Sequence, residues 1–351
     1  MSSSPSASDR TRARHQVRLL PGPRTVTARD GETVLDAALA AGVNLPHSCK
    51  SGHCGSCRAR LLEGAVSAPA VRPLGISERE AAEGYVLLCQ VRAQSDLAVE
   101  ARTVESAAAA VVKTLPCRIA RLTPLAPDVL KVMLRLPAVE RLEFEPGQYL
   151  DVLLEGGGRR SFSIASPPHD SELIELHVRH VPGGRFTGGL FQAAREGALL
   201  RIEGPFGQLV YRERREPALL IAGGTGFAPV KAMLRHVLER GSQRRLHLYW
   251  GARTAVDLYE EERVLEWAAA HSQLSYRAVL SQAPAPTRAH HRLGFVHECV
   301  LAEHATLEPF DVYVAGPPEL VSAVQGEFPR RGMRLERLHF DSFDYAPPGR
   351  S

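Results

Sequence analysis

Three cysteines fall within one short run, Cys49-Lys50-Ser51-Gly52-His53-Cys54-Gly55-Ser56-Cys57, and a fourth, Cys89, follows after 31 further residues. The C-x4-C-x2-C spacing with a distant fourth thiolate is the ligand spacing of a [2Fe–2S] cluster, three ligands on one tight loop and one from elsewhere. Backbone amides must also approach the sulfurs, and Gly52 and Gly55, lacking a Cβ, let the loop turn with positive φ. A zinc site is the main competitor, but structural zinc usually shows two C-x2-C or Cys/His pairs, and one is present here. Disulfides are disfavoured in a chain with no secretory signal, and the paired Cys and His ligands of a Rieske centre are absent. Cys49, Cys54, Cys57 and Cys89 are therefore the expected metal ligands.

The flanking segments must position that loop. Gly31–Gly42 reads as a short helix: Thr33 can cap it, Leu35 and Leu39 share a face at i, i+4, and Gly42 stops it. His15–Leu20 and Thr25–Ala28 read as two strands around a Pro-Gly-Pro turn, and Asp96–Ala101 as a closing strand. The run Gly31–Gly64 resembles the plant-type ferredoxin domain of bacterial electron-transfer reductases, which implies a β-grasp fold over residues 15–103. That stretch carries ten Lys/Arg against nine Asp/Glu. Free plant ferredoxins are strongly acidic, which steers them to basic reductases; a near-neutral domain suits a cluster fused to its own reductase.

At 351 residues the chain has room for two or three domains, each with its own core. Its 44% hydrophobic and 23% charged residues are ordinary for a globular protein, and a net charge of +4 argues against nucleic acid as a partner. Residues 1–14 read as a disordered tail, Ser-rich and basic, neither signal peptide nor membrane span. No window of 18 apolar residues occurs, so a cytoplasmic monomer without a membrane segment is expected. Residues 104–113, within an alanine-rich run, read as a linker.

From Leu115 short strands recur about every ten residues: Cys117–Leu122, Leu130–Leu136, Tyr149–Leu154, Arg160–Ile164, Leu173–His180 and Leu199–Gly204. Glycines and prolines between them suggest an antiparallel barrel over residues 114–212. Arg160-Ser161-Phe162-Ser163 resembles the R-x-[Y/F]-S segment of the ferredoxin–NADP reductase superfamily. The resemblance implies that Arg160 pairs with a flavin pyrophosphate, Phe162 stacks on the isoalloxazine and Ser163 reaches flavin N5. A guanidinium fork suits phosphate, and strand alternation puts Arg160 and Phe162 on one face. Pro182-Gly183-Gly184-Arg185-Phe186-Thr187-Gly188-Gly189-Leu190 resembles the superfamily's phosphate loop, implying cofactor contacts at Gly183, Gly184 and Thr187, with His177 on the preceding strand as a further one. Gly204-Pro205-Phe206-Gly207 resembles its barrel-closing turn.

The last third alternates strands and helices, as a doubly wound parallel sheet over residues 213–345 would. Ala218–Ala222 is an unbroken apolar run, as a buried parallel strand should be, and it feeds Gly223-Gly224-Thr225-Gly226-Phe227-Ala228-Pro229 and a helix. Strand, glycine turn and helix make an anion site for a dinucleotide pyrophosphate. The turn resembles the superfamily's G-G-T-G-x-A-P signature, which implies nucleotide binding by Gly224, Thr225 and Gly226. Leu246–Trp250 leads to Arg253, the one basic residue near that strand end, with Asp257, Glu260 and Glu261 after it; these carboxylates would repel a 2′-phosphate, so NADH is favoured over NADPH. Asp311–Val314 leads into Ala315-Gly316-Pro317-Pro318, resembling the family's C-G-P-P turn with Ala315 in place of Cys, and implicates Gly316 and Pro317. Phe340-Asp341-Ser342-Phe343 resembles a C-terminal segment that reaches the flavin, which implies roles for Asp341, with Ser163, in catalysis and for Phe343 in cofactor binding.

Together these resemblances cover nearly all of residues 15–343 and imply a multi-domain α+β and α/β protein: β-grasp ferredoxin, antiparallel flavin-binding β-barrel, and doubly wound nicotinamide domain. They imply an NADH-dependent oxidoreductase that uses FAD and [2Fe–2S] to pass electrons to a terminal oxygenase or dehydrase component. Gly183–Phe191, Tyr249–Arg253 and Leu293–His297 resemble the CDP-6-deoxy-3,4-glucoseen reductases most, and reductase components of aromatic-ring oxygenases share the layout. A free-standing flavin reductase would not need the cysteine loop, and a non-enzymatic iron–sulfur carrier would not need residues 218–320.

Overall fold

A computed structural model of the chain describes residues 14–43, 45–47, 50, 52, 55–67, 69–73, 75–101, 111–155, 158–170, 172–192 and 195–343. The chain divides into two compact units, residues 1–106 and 107–351. The expected tail, linker and C-terminal residues 344–351 lie wholly or mostly outside the described residues. Among the described residues no helix is long and apolar enough to cross a membrane.

The first unit contains β1 (Arg14–Leu20), β2 (Arg24–Arg29), α1 (Val34–Ala40), β3 (Arg58–Glu63), β4 (Val66–Ser67), α2 (Glu78–Ala82), β5 (Tyr85–Leu87), β6 (Arg92–Ala93) and β7 (Leu97–Glu100). Its five-stranded sheet runs β2-β1-β7-β3-β5, with β1 and β7 parallel and the other pairs antiparallel. The Thr33 hydroxyl accepts from the Asp36 N–H and starts α1. Gly42, at φ +72, lies just beyond its end. The segment expected to close the sheet is instead its centre: β7 is paired on both sides, and Leu97, Ala98 and Val99 are all buried rather than alternating. Val17, Leu19, Leu35, Leu45 and Val99 form part of the core, each such side chain contributing about 1.5–3 kcal/mol.

The second unit opens with β8 (Lys113–Ala126), β9 (Val129–Arg135), β10 (Tyr149–Leu153), β11 (Arg159–Ser163), β12 (Ile174–Arg179), α3 (Arg185–Gln192) and β13 (Leu199–Phe206). These strands form one antiparallel sheet in the order β11-β10-β13-β8-β9-β12. The chain then alternates β14 (Ala218–Gly223), α4 (Phe227–Glu239), β15 (Leu246–Ala252), α5 (Glu261–Ala270), β16 (Leu274–Leu280), β17 (His291–Leu293), α6 (Val296–Glu303), β18 (Asp311–Gly316), α7 (Pro318–Glu327) and β19 (Leu338–Ser342). The six strands are parallel, ordered β17-β16-β15-β14-β18-β19, so the winding reverses between β14 and β18. Strand alternation divides the core: Ala218, Leu220 and Ala222 pack with Phe227 and Trp250, whereas Leu219 and Ile221 pack with Val300, Val321 and Phe328 on the other face.

An ionic cluster joins barrel to parallel sheet. Lys231 of α4, 4% exposed, places its ammonium 2.7 Å from Glu175 Oε1 on β12 and 2.5 Å from Glu260 Oε2. Lys131 of β9 reaches Glu260 Oε1 at 2.5 Å. The His177 ring bonds Glu175 through Nε2 at 2.8 Å and the Tyr259 hydroxyl through Nδ1 at 3.0 Å. Burial pushes the Glu175 carboxyl up, but its His177 hydrogen bond and the Lys231 charge outweigh this and leave it well below the usual range. Burial depresses His177 more than its carboxylate neighbours raise it.

Both groups are thus shifted down on folding, so both favour the folded chain at high pH and lose that advantage as pH falls, His177 below its ordinary 6.5 and Glu175 below its ordinary 4.5. The melting temperature should fall between pH 6.5 and pH 4.5. Lys231→Met should cost about 3–5 kcal/mol by leaving two buried carboxylates to share the single ammonium of Lys131. A pH-independent melting temperature in that window, or a Lys231→Met variant as stable as the parent, would show that the cluster does not bear on the joint.

Candidate active site

Two of the four expected cluster ligands are described. Cys57 immediately precedes β3 and Cys89 follows β5; both are buried, and the Leu88 N–H donates to the Cys57 carbonyl at 3.1 Å, tying the two segments together. Cys49 and Cys54 lie outside the described residues. Gly52 and Gly55 have φ of +84 and +70. A Cβ on Gly55 would meet the Gly75 carbonyl oxygen at 2.8 Å, and one on Gly52 would meet Gln90 and Pro73. The loop therefore closes only with glycine at these positions, and this donor set fits a tetrathiolate cluster. The remaining two cysteines stand apart: burial in the barrel pushes the Cys117 thiol up to about 12, and Cys299 lies on α6.

Gln90 carries no sequence signal, yet it braces this end. Its side-chain amide donates to the Lys50 carbonyl at 3.1 Å, the Cys89 carbonyl at 3.0 Å and the Cys89 sulfur at 3.4 Å. It thereby links the cysteine loop to the distant fourth ligand.

In the barrel, β11 holds Arg160, Phe162 and Ser163. Neighbouring Arg159 is committed to Glu203 and to Asp151, whereas Arg160 bonds only the Arg159 carbonyl, at 2.7 Å, and has no carboxylate partner among the described residues. Its charge is therefore available to a phosphate. Phe162 lies 5.7 Å, centroid to centroid, from Phe186 on α3, which brings β11 against the glycine loop. Gly183 has φ +75, and Gly184 must be small because a Cβ would meet Thr187 Oγ1 at 2.6 Å. The Thr187 hydroxyl serves the loop itself, accepting from the Val181 N–H at 3.2 Å. Ser163 is buried at the end of β11. These groups suit a flavin diphosphate at the start of α3.

The parallel sheet opens a cleft of roughly 630 Å³ at its C-terminal edge. All six strands lead into it: Gly223, Ala252, Ser281, Gly294, Pro317 and Phe343 lie at or just past the ends of β14 to β19. This is where open α/β sheets bind ligands, at the point where the winding reverses. Gly224 (φ +54), Thr225, Arg253, Pro317 and Phe343 line it. Gly226 lies beneath, since a Cβ would meet the Ala315 oxygen at 2.0 Å, and Gly316 (φ +154) packs on Gly223. The Phe343 N–H donates to the Gly316 carbonyl at 2.8 Å. Asp341 is buried on β19, paired in register with Ala315.

Arg179 of β12 also lines this cleft, beside Gly224, and sequence reasoning missed it. Its Nε and Nη2 are sealed from water without a hydrogen bond, Nε lying 3.5 Å from an Asp128 carboxylate oxygen. A half-buried, under-satisfied guanidinium beside a glycine turn fits an anionic ligand.

Two expectations need correction. The His177 ring is fully buried with both nitrogens engaged by protein, so it is not offered to a cofactor. Of the three carboxylates after Arg253, only Asp257 lines the cleft; Glu260 is held by the lysines and Glu261 by His290 and His291. Burial raises the Asp257 pKa, but hydrogen bonds from Thr254 and the Arg253 charge bring it below the ordinary value. Ala315 is fully buried with Ala222 and Phe227 and does not line the cleft.

Hydrogen bonds to the sulfurs raise a cluster's potential by stabilising its reduced, more negative state. Gln90→Leu should keep its iron while its midpoint moves to more negative values in an EPR-monitored redox titration. An unchanged midpoint would mean that Gln90 only braces the loop.

Three family models match the chain: a 2Fe-2S iron-sulfur cluster binding domain over residues 17–94, an oxidoreductase FAD-binding domain over 116–211 and an oxidoreductase NAD-binding domain over 220–326. The chain is 35% identical to the CDP-6-deoxy-L-threo-D-glycero-4-hexulose-3-dehydrase reductase of Yersinia pestis, over 93% of this chain and 98% of that protein. It is equally identical, 35%, to reductase component 1 of the terephthalate 1,2-dioxygenase of Comamonas sp, over 95% and 99%. The crystal structure of an Amycolatopsis cytochrome P450 reductase superposes with a TM-score of 0.74 at 33% identity, covering 94% of this chain and 98% of that one. With these matches spanning all three modules, the chain belongs to the family of ferredoxin-type iron–sulfur flavoprotein reductases, oxidoreductases that carry electrons from a nicotinamide nucleotide through FAD and a [2Fe–2S] cluster to a partner protein.

Proposed function

We propose that this chain is the NADH-oxidising reductase component of a two-component system and delivers single electrons to a terminal oxygenase. The observation that carries the reading is the fusion of a cysteine-loop unit, near-neutral in charge, to a unit holding both a flavin barrel and a nucleotide cleft. A dehydrase acceptor is the second reading, supported by the equal identity to a hexulose-dehydrase reductase. When bound, FAD accepts a hydride's two electrons and releases them singly to the cluster; the protein supplies binding and orientation.

Within that reading, Cys49, Cys54, Cys57 and Cys89 hold the cluster. Arg160 and the Gly183–Gly184 turn hold the flavin diphosphate, with Phe162 and Ser163 of β11 beside the ring system. Gly224, Thr225, Gly226 and Arg179 take the nucleotide diphosphate, and Gly316, Pro317 and Phe343 set the nicotinamide end, with buried Asp341 behind them. Arg253 contributes at the ribose, where its partner Asp257 disfavours a 2′-phosphate.

NADH should therefore exceed NADPH in kcat/KM by tenfold or more, about 1.4 kcal/mol. Arg179→Gln should raise the KM for NADH by about 10-fold, the scale of one charged hydrogen bond, with flavin content intact. A preference for NADPH, or an unchanged KM in the variant, would overturn these assignments.

The acceptor is tested by mixing the purified chain with NADH and either an oxygenase or a dehydrase component, and measuring product formation coupled to NADH oxidation. Cys57→Ser should stop delivery to either acceptor while leaving ferricyanide reduction by the flavin. Turnover with the dehydrase alone would favour the second reading, and full delivery by Cys57→Ser would remove the cluster from the path.

A further inference from the structure

Two groups of metal-type side chains occur among the described residues of the second unit, and they differ in what already occupies them. In Glu175, His177 and Glu260 the ammonium groups of Lys131 and Lys231 supply the cations, at 2.5–2.7 Å. In Glu261, His290 and His291 no lysine enters among the described residues. Glu261 is the first residue of α5, His290 precedes the edge strand β17 and His291 opens it, so the group ties helix to sheet edge. None of the three lines the nucleotide cleft.

The geometry around Glu261 is crowded on one oxygen. Oε1 lies 3.1 Å from His290 Nε2, 2.9 Å from His291 Nε2 and 3.1 Å from the Tyr276 hydroxyl. One carboxylate oxygen offers about two lone-pair sites, so three donors compete for two acceptor positions. Arg288 stands on the opposite oxygen, Oε2, at 3.6 Å, and also pairs with Glu262. Glu261 is 7% exposed and His291 2%, so water does little to relieve the crowding.

A divalent cation resolves it. With metal bound, each Nε2 presents its lone pair rather than a proton, and the proton resides on Nδ1. Thr287 Oγ1, 2.9 Å from His291 Nδ1, is placed to accept it, the kind of outer partner that orients a ligating histidine. The O···N spacings of 2.9 and 3.1 Å approach the roughly 3.3 Å edge of a tetrahedron with metal–ligand bonds of about 2.0–2.1 Å.

We propose that Glu261, His290 and His291 form a site for a borderline divalent transition metal, zinc foremost, separate from the electron-transfer cofactors. Two imidazoles and a carboxylate with water in the fourth position form a zinc donor set, whereas calcium and magnesium favour all-oxygen sites. The ion would staple the start of α5 to β17. Residues Gly294–Val296, which follow β17 directly, form part of the cleft wall, so the staple would steady that wall.

The test titrates holoprotein, with cluster and FAD loaded, with zinc chloride by calorimetry, and measures bound zinc and iron after desalting. The expected result is one zinc per chain with iron unchanged. His291→Gln should abolish binding. His290→Gln, at the more exposed of the two positions, should weaken it at least about tenfold with circular dichroism and flavin content unaltered. Absence of retained zinc overturns the proposal. So does zinc held equally well by the His290→Gln variant, since that ion would reside at other histidines or cysteines.

Discussion

The contact on which the reductase unit depends most is Lys231 between Glu175 and Glu260. It joins the first helix of the parallel sheet to the edge strand of the barrel, deep enough that an unpaired charge there would be costly. Around it, Lys131 completes the pairing and His177 bridges Glu175 to Tyr259. Phe227, stacked on Trp250 at 3.9 Å, continues the contact into the sheet core. The glycine turn Gly224–Gly226 leads directly into α4, and Arg179, the last residue of β12, lies beside Gly224. Hydride transfer depends steeply on the placement of donor and acceptor, and this joint sets the relation between the two surfaces that hold them.

Much of this was legible in the sequence wherever chemistry forces both residue type and spacing. A tetrathiolate loop needs its glycines, a buried parallel strand reads as unbroken apolar residues, and a strand–glycine–helix junction marks an anion site. The cleft accordingly opens at Gly224, Thr225, Pro317 and Phe343, all named from the sequence. What stayed hidden depends on contacts between residues far apart in the chain. Lys231 reads as an ordinary helix lysine until the barrel supplies Glu175, 56 positions earlier. Gln90 gains its role only when the cysteine loop folds back onto it, and Arg179 only when Gly224 comes beside it.

The misread residues follow the same logic. His177 carries a side chain that could serve a cofactor, but β12 turns it inward to the ionic cluster. Glu260 and Glu261 are adjacent, yet one is drawn to lysines on the barrel side and the other to histidines at the sheet edge. Sequence proximity to Arg253 carried no information about facing, because the turn before α5 points consecutive side chains in different directions. Only Asp257, whose carboxylate accepts from Thr254 and Arg253 within the turn, stays in the cleft.

The central claim is an order: nicotinamide nucleotide, then flavin, then cluster. Anaerobic rapid mixing of the holoprotein with NADH, followed by absorbance and by freeze-quench EPR, measures that order directly. Flavin absorbance should bleach in the earliest phase, the EPR signal of the reduced cluster should grow in afterwards, and protein stripped of FAD should give no cluster signal on that timescale. Reduction of the cluster by NADH in the FAD-free protein, or cluster reduction that precedes flavin bleaching, would contradict it.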